Sequence, residues 1–139
     1  MKIEITGTPD FHFHALAADG ARVDIGASKS IGGDESGFRP MQLLLVAAGS
    51  CAAIDVVNIL KKSRVVFSSV GIEVEGDRKE GAVPSPFVNV HLRFQVRGAK
   101  AEDLPKAQKA VSLGVEKYCS VSASLDPAIR VTHSTEIVP

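Results

Sequence analysis

Chemistry in this chain rests on two cysteines, each placed where a helix must be buried. Cys51 lies in the nearly all-apolar run Pro40-Met41-Gln42-Leu43-Leu44-Leu45-Val46-Ala47-Ala48-Gly49-Ser50-Cys51-Ala52-Ala53-Ile54-Asp55. Cys119 closes a second helical stretch, Val115-Glu116-Lys117-Tyr118-Cys119-Ser120-Val121-Ser122. Two such thiols are either small buried hydrophobes or a redox pair. Thiolate is the reactive form, and a free thiol with a pKa of about 8.5 is only slightly ionised at neutral pH. Peroxide chemistry therefore calls for a nearby cation, a helix N-terminus or converging N–H donors. Cys51 is eleven residues into its helix, about 16 Å from the positive end, where the dipole gives little help.

The other polar candidates are weighed against that need. Arg39 is the nearest cation before the helix, but twelve residues separate it from Cys51. That is about 18 Å along one helix, so only an Arg39 from a partner subunit reaches the thiol. Its plainer role is a solvated residue of the helix entry. Lys61 and Lys62 complement the negative end of the helix. His133 shares a strand face with Ile129, Val131, Thr135 and Ile137, and reads as a core or interface histidine, with a base or thiolate partner as the alternative. Glu116 faces solvent ahead of Cys119, with a secondary role open. His12 and His14 share a strand face as a metal pair would, yet no third ligand is suitably spaced, so neither metal nor cofactor is expected. Asp55, one turn past Cys51, calls for water, Asn58 or a basic partner.

Composition narrows the class. The chain of 139 residues reads as one domain, 1–139, able to bury a core without staples. Sixteen basic residues balance sixteen acidic ones with no basic run, which argues against nucleic acid. The acid at Glu4 breaks any signal-peptide core, and Leu43–Ile54 is too short to span a bilayer, so a soluble cytoplasmic protein with reduced cysteines is expected.

The elements that must position the thiols follow from periodicity and punctuation. Ile3 and Ile5 mark a first strand, Phe11 to His14 a second, and Ala18-Asp19-Gly20-Ala21 turns into a third at Arg22 to Ile25, an antiparallel meander. Gly26 to Arg39, with four glycines and three serines, is a long loop. Pro40 opens a helix running to about Lys62 that is apolar all round and therefore needs cover on every side, which a second chain supplies most simply. Val70 to Val74 and Val88 to Val96 alternate as strands. Asp103 caps a second helix, with Pro105 in its first turn and an apolar stripe of Leu104, Ala107, Val111, Val115, Tyr118 and Cys119. Asp126-Pro127 precedes a last strand, Ile129 to Val138. The order β-β-β-α-β-β-α-β, with strands in hairpins, indicates α+β.

With these motifs in view, the chain resembles the OsmC/Ohr family, the osmotically inducible and organic hydroperoxide resistance proteins. The first cysteine helix resembles that family's Pro-x-x-Leu…Cys helix, and Cys119-Ser120-Val121-Ser122 its Cys-x-x-Ser turn, 68 residues on. Pro-Met-Gln-Leu, Ala-Ala-Gly-Ser-Cys, Glu-Lys-Tyr-Cys-Ser-Val and Thr-His-Ser-x-Glu are similar to its YhfA-like branch. The resemblance implies antiparallel sheets around a long buried central helix, in an intertwined homodimer with sites at the interface. It also implies that Cys51 attacks a hydroperoxide and Cys119 resolves the sulfenic acid as a disulfide, which an external dithiol reopens. The chain departs from the family at two helpers: the family's glutamate falls on Met41, and no arginine precedes Arg22. The expected function is thiol-dependent hydroperoxide reduction, Arg39, His133 and Glu116 being possible accessories. The alternative is a non-catalytic dimer holding an apolar or thiol ligand.

Overall fold

A computed structural model describes residues 1–139, which divide into two compact units, 1–44 and 45–139. In the first unit, β1 (Ile3–Gly7), β2 (Phe13–Ala17) and β3 (Arg22–Ile25) form an antiparallel meander in that order. The β2–β3 turn is tied by Gly20 N–H to Ala17 O, and Gly20 takes the positive φ that a tight hairpin demands. Phe11 and His12 lie outside β2, contrary to the expected strand start. Phe11 has a positive φ and donates its N–H to Thr8 O, so a turn claims it before the strand begins. His12 and His14 therefore do not form a pair on one strand face. His12 bonds Asp34 across the loop at 2.9 Å. Hydrogen bonds from Ser36, its hydroxyl first and then its amide, and from His12 hold the Asp34 carboxyl well below the ordinary carboxylate range. The loop is irregular but for a short 3-10 turn at Lys29–Ile31.

α1 (Pro40–Lys62) begins at the proline, whose missing N–H is harmless in a first turn, and ends at the two lysines that complement its negative end. The apolar run Leu43–Ile54, too short to span, is only the middle of this helix. At 23 residues α1 is long and apolar enough to cross a membrane by length and composition. The core helix of a soluble protein meets the same test.

In the second unit β4 (Ser69–Arg78) pairs antiparallel with β5 (Phe87–Arg97), and β5 pairs with β6 (Arg130–Val138). β5 is central, and it alternates from Val90 onward: Val90, Leu92, Phe94 and Val96 are buried while Arg93 and Arg97 are exposed. Val88, expected on the same face, is exposed and Phe87 is buried instead, because the pairing register shifts at this end of the strand. The expectation of antiparallel pairing holds for β1–β3 and β4–β5 but not for β6, which runs parallel to β5. The cause is the crossover: parallel neighbours need a long connection, here residues 98–129 with a helix that packs on β6.

That crossover contains a 3-10 turn (Ala101–Asp103), α2 (Leu104–Ser112), a π-helical turn (Leu113–Tyr118) and the short α3 (Ser120–Ser124). Pro105 sits in the first turn of α2 as its fixed φ favours. Asp103 precedes α2 but makes no side-chain cap. Its carboxylate accepts from Lys106 Nζ at 2.8 Å instead, because the 3-10 turn already gives Asp103 helical backbone angles. The apolar stripe runs through Ala107, Ala110, Val111, Gly114, Val115 and Cys119, whereas Tyr118 is 49% exposed. The π turn causes this: its wider winding carries residue 118 out of phase with a 3.6-residue stripe.

The core of this unit lies between β5 and the buried strip of α1, namely Ala48, Gly49, Ala52, Val56 and Leu60. Small residues let backbones approach. A Cβ on Gly49 would lie 2.7 Å from Val74 Cγ2, and one on Gly114 would lie 2.8 Å from Val56 Cγ2 and 3.1 Å from Ala52 O. The second clash involves backbone and cannot be relieved by rotating a side chain. Gly114→Ala is accordingly expected to lower stability by about 1–3 kcal/mol, outweighing the gain in helix propensity. The urea midpoint reads this; an unchanged or higher midpoint contradicts the close approach.

Candidate functional site: the two thiols

Cys51 lies on α1, half-buried and free, one turn past Ala48. Cys119 is 4% exposed and also free. It leaves helical geometry at φ −68° and ψ 102°, so it is the residue between the π turn and α3 and caps the latter. Serine, threonine and aspartate are the usual caps, their oxygen accepting an N–H of the first turn. Here the acceptor is sulfur. Ser122 N–H donates to Cys119 Sγ at 3.3 Å and Ser122 Oγ–H donates to it at 3.2 Å. The thiol proton in turn points to Ala48 O, with sulfur and oxygen 3.9 Å apart. One sulfur therefore ties three elements: it receives two donors from α3, ends the π turn, and rests on the α1 turn that leads to Cys51.

The two cysteines lie near each other. The contact with Ala48 is the reason: residues 48 and 51 are three apart on α1, adjacent on one helix face. Gly114 lets the π turn sink onto Ala52 and Val56, and Cys119 follows five residues later.

Of the accessory candidates, His133 and Glu116 come together. His133 on β6 is 20% exposed at its side chain and bonds Glu116 Oε1 through Nε2 at 2.8 Å. Ser112 Oγ–H donates to Glu116 Oε2 at 3.1 Å. The His133 bond first, and the Ser112 bond second, hold the Glu116 carboxyl below the ordinary range. This pair pins the π turn to β6. Arg39, in the unit 1–44, is engaged in its own loop, where Nη1 donates to Glu35 O and Gly37 O at 3.0 and 3.1 Å. Lys61 and Lys62 are exposed at the end of α1.

Two features escaped sequence reasoning. The π turn has no residue-level signal that separates it from α-helix. Ser122 had one: it stands three residues past Cys119, the spacing of an N-cap and the amide it binds.

A dithiol protein of α+β architecture, with one helix-borne thiol beside a buried second thiol, is the class that this geometry defines. A family model described as OsmC-like protein matches residues 32–134, and the chain belongs to that family. Protein YhfA of Escherichia coli strain K12 is 43% identical over 99 residues, 71% of this chain and 72% of YhfA. A hypothetical protein from Aquifex aeolicus VF5 superposes with a TM-score of 0.81 at 29% identity, covering 99% of this chain and 95% of that one. An organic hydroperoxide resistance protein OsmC from Legionella pneumophila gives a TM-score of 0.68 at 14% identity, over 98% and 97% of the two chains, a likeness of fold. The resemblance carried by the two cysteine motifs is thus shown, and the OsmC/Ohr family is one of redox-stress proteins.

The His133–Glu116 pair has a pH signature. A carboxyl depressed in the folded state stabilises the fold above its unfolded pKa, and that contribution fades as pH falls through the folded value. The parent is expected to lose it below about pH 4.5. In His133→Ala the Glu116 carboxyl titrates closer to its ordinary value and this acid-limb loss shrinks. Carbon-detected NMR titration of Glu116 reads the shift; identical curves in the two proteins contradict the pairing.

Proposed function

We propose that this protein is a cytoplasmic, homodimeric thiol peroxidase that reduces organic hydroperoxides through Cys51 and Cys119 and is recycled by an external dithiol. The observation that carries the reading is the contact of Cys119 Sγ with Ala48 O, on the α1 turn leading to Cys51. Membership of a redox-stress family adds to it. The hydroperoxide resistance named for the Legionella protein is extended to this chain here as a proposal.

The chemistry runs in three balanced steps. Cys51, having given up its proton, attacks the terminal peroxide oxygen as thiolate, the O–O bond breaks, and the leaving alkoxide takes up a proton, giving Cys51 sulfenic acid and an alcohol. Cys119 sulfur attacks Cys51 sulfur, a disulfide forms, and hydroxide leaves as water with the Cys119 proton. A dithiol then exchanges with the bridge through a mixed disulfide, becoming oxidised as both protein thiols are restored. Two neighbouring thiols make the second step unimolecular, which is where positioning accelerates it most.

The apolar surface of α1 supports the dimer. Leu44, Val46 and Ile54 are exposed on one chain, Ile54 to 72%. A helix apolar on all faces is stable in water only when covered, and a second α1 is suited to the task. Free thiols whose function depends on cycling support the cytoplasmic part of the proposal.

A second reading is a non-catalytic dimer whose thiol-lined pocket binds an apolar or thiol compound. Met41 favours it, since it stands where the family's glutamate falls.

Two measurements separate these readings, and a third tests the dimer that both share. After a pulse of organic hydroperoxide and rapid thiol blocking, mass spectrometry is expected to find a Cys51–Cys119 bridge. Its absence, with no sulfenic acid at Cys51, removes the enzyme. Cys51→Ser is expected to abolish turnover, on the order of a thousandfold or more; a parent without turnover that still binds an apolar probe supports the second reading. Light scattering is expected to give twice the 14.7 kDa chain mass, and Ile54→Asp to give monomer. A monomeric parent contradicts the assembly.

A further inference from the structure

We infer that Ser122 is a catalytic residue for the second half of the cycle: it readies Cys119 sulfur to attack Cys51 and steadies it again when the bridge is reopened. The inference rests on the peroxidase reading above and names a group that the sulfur chemistry itself requires.

Closing the bridge needs electron density on Cys119 sulfur, and reopening it at Cys51 releases Cys119 as the leaving group. Both directions pass through a Cys119 sulfur bearing negative charge. A thiol-disulfide step is faster when the leaving sulfur carries charge more easily. Two donors already aim at this sulfur, and both belong to Ser122: its N–H at 3.3 Å and its Oγ–H at 3.2 Å. Hydrogen bonds from N–H and O–H strengthen when the acceptor becomes an anion, most of all in a site closed to water. Cys119 is such a site, at 4% exposure. The third contact works the other way. Ala48 O accepts the S–H of the resting thiol, with sulfur and oxygen 3.9 Å apart. At rest Cys119 is a satisfied thiol, and when it gives up its proton Ser122 remains as its partner.

The same contacts fix which sulfur meets the reductant. Cys51 is half-buried whereas Cys119 is buried and occupied by Ser122. The external dithiol thus attacks Cys51 sulfur, its own sulfur bonds there, and the S–S bond breaks toward Cys119. The electron pair stays on Cys119, which takes up the proton shed by the attacking thiol. The second thiol of the reductant then attacks the reductant's own first sulfur, the bond to Cys51 breaks, Cys51 takes up the proton, and the reductant leaves as its intramolecular disulfide.

The test compares the parent, Ser122→Ala and Ser122→Thr after one equivalent of an organic hydroperoxide, quenched over time with dimedone and a thiol blocker. Ser122→Ala keeps the backbone N–H, so the cap of α3 survives, and circular dichroism confirms the fold. The expected result is that Cys51 sulfenic acid forms at the parental rate in all three. Bridge closure slows on the order of tenfold in the alanine variant, the loss of one hydrogen bond to a charged group, and dimedone adduct accumulates. Threonine, which keeps the hydroxyl, restores most of the rate. Equal closure rates in parent and Ser122→Ala overturn the inference. If the parent yields neither sulfenic acid nor bridge, the peroxidase reading fails, and alkylation of Cys119 in a Cys51→Ser background decides for Ser122. A slower alkylation with alanine that threonine rescues supports the role; equal rates overturn it.

Discussion

The close seating of the π turn on α1 is the constraint on which the thiol site depends. Gly114 gives up a side chain so that the turn can rest on Val56 and the carbonyl of Ala52. One turn away along α1, the carbonyl of Ala48 receives the thiol of Cys119. Small residues at 48, 49 and 52 thus do for α1 what large ones could not: they admit β4 and the π turn close to the backbone. Packing of this kind tolerates little change of volume, because interiors are filled to crystal-like density. The same residues that hold the core therefore hold the sulfur.

Around that contact the structure uses each polar group to fix the turn that presents Cys119. His133 reaches from β6 to Glu116 in the π turn, and Ser112 closes the other carboxylate oxygen. Ser122 takes the sulfur from the far side. The parallel pairing of β6 with β5 is what brings His133 to this place, since Leu92 and His133 are register partners. A sheet with β6 antiparallel would have needed no helical crossover between the strands. Fold and site are linked at this step: the crossover that parallel pairing demands is the segment that carries Cys119.

Much of this was legible in the sequence, for reasons that differ by element. Pro40, Lys61 and Lys62 punctuate α1, and alternating residues mark β5, so both elements stand where the pattern puts them, although Val88 falls off the buried face where the register shifts. Phe11 continues the strand pattern in sequence yet belongs to a turn, because hydrophobicity alone cannot report a positive φ. Tyr118 falls on the stripe only if a 3.6-residue period continues through a segment that in fact winds more widely. The direction of β6 was not legible at all, since strand pairing is decided by the crossover and not by residues of the strand. Both cysteines were found from their motifs. Ser122 stands in the Cys119 motif with no visible role in the sequence, because a sulfur cap becomes visible only once Cys119 leaves helical angles. His133 and Glu116 were singled out separately, and only the fold joins them.

The central claim is that the folded chain holds its two thiols close enough to bridge without unfolding. The equilibrium between dithiol and disulfide in glutathione buffers measures this as an effective concentration of one thiol for the other, in native buffer and again in concentrated urea. The account predicts a value in native buffer at least tenfold above that in urea, where 68 residues separate the sulfurs as flexible chain. Equal values, or a lower one in the folded protein, would contradict it.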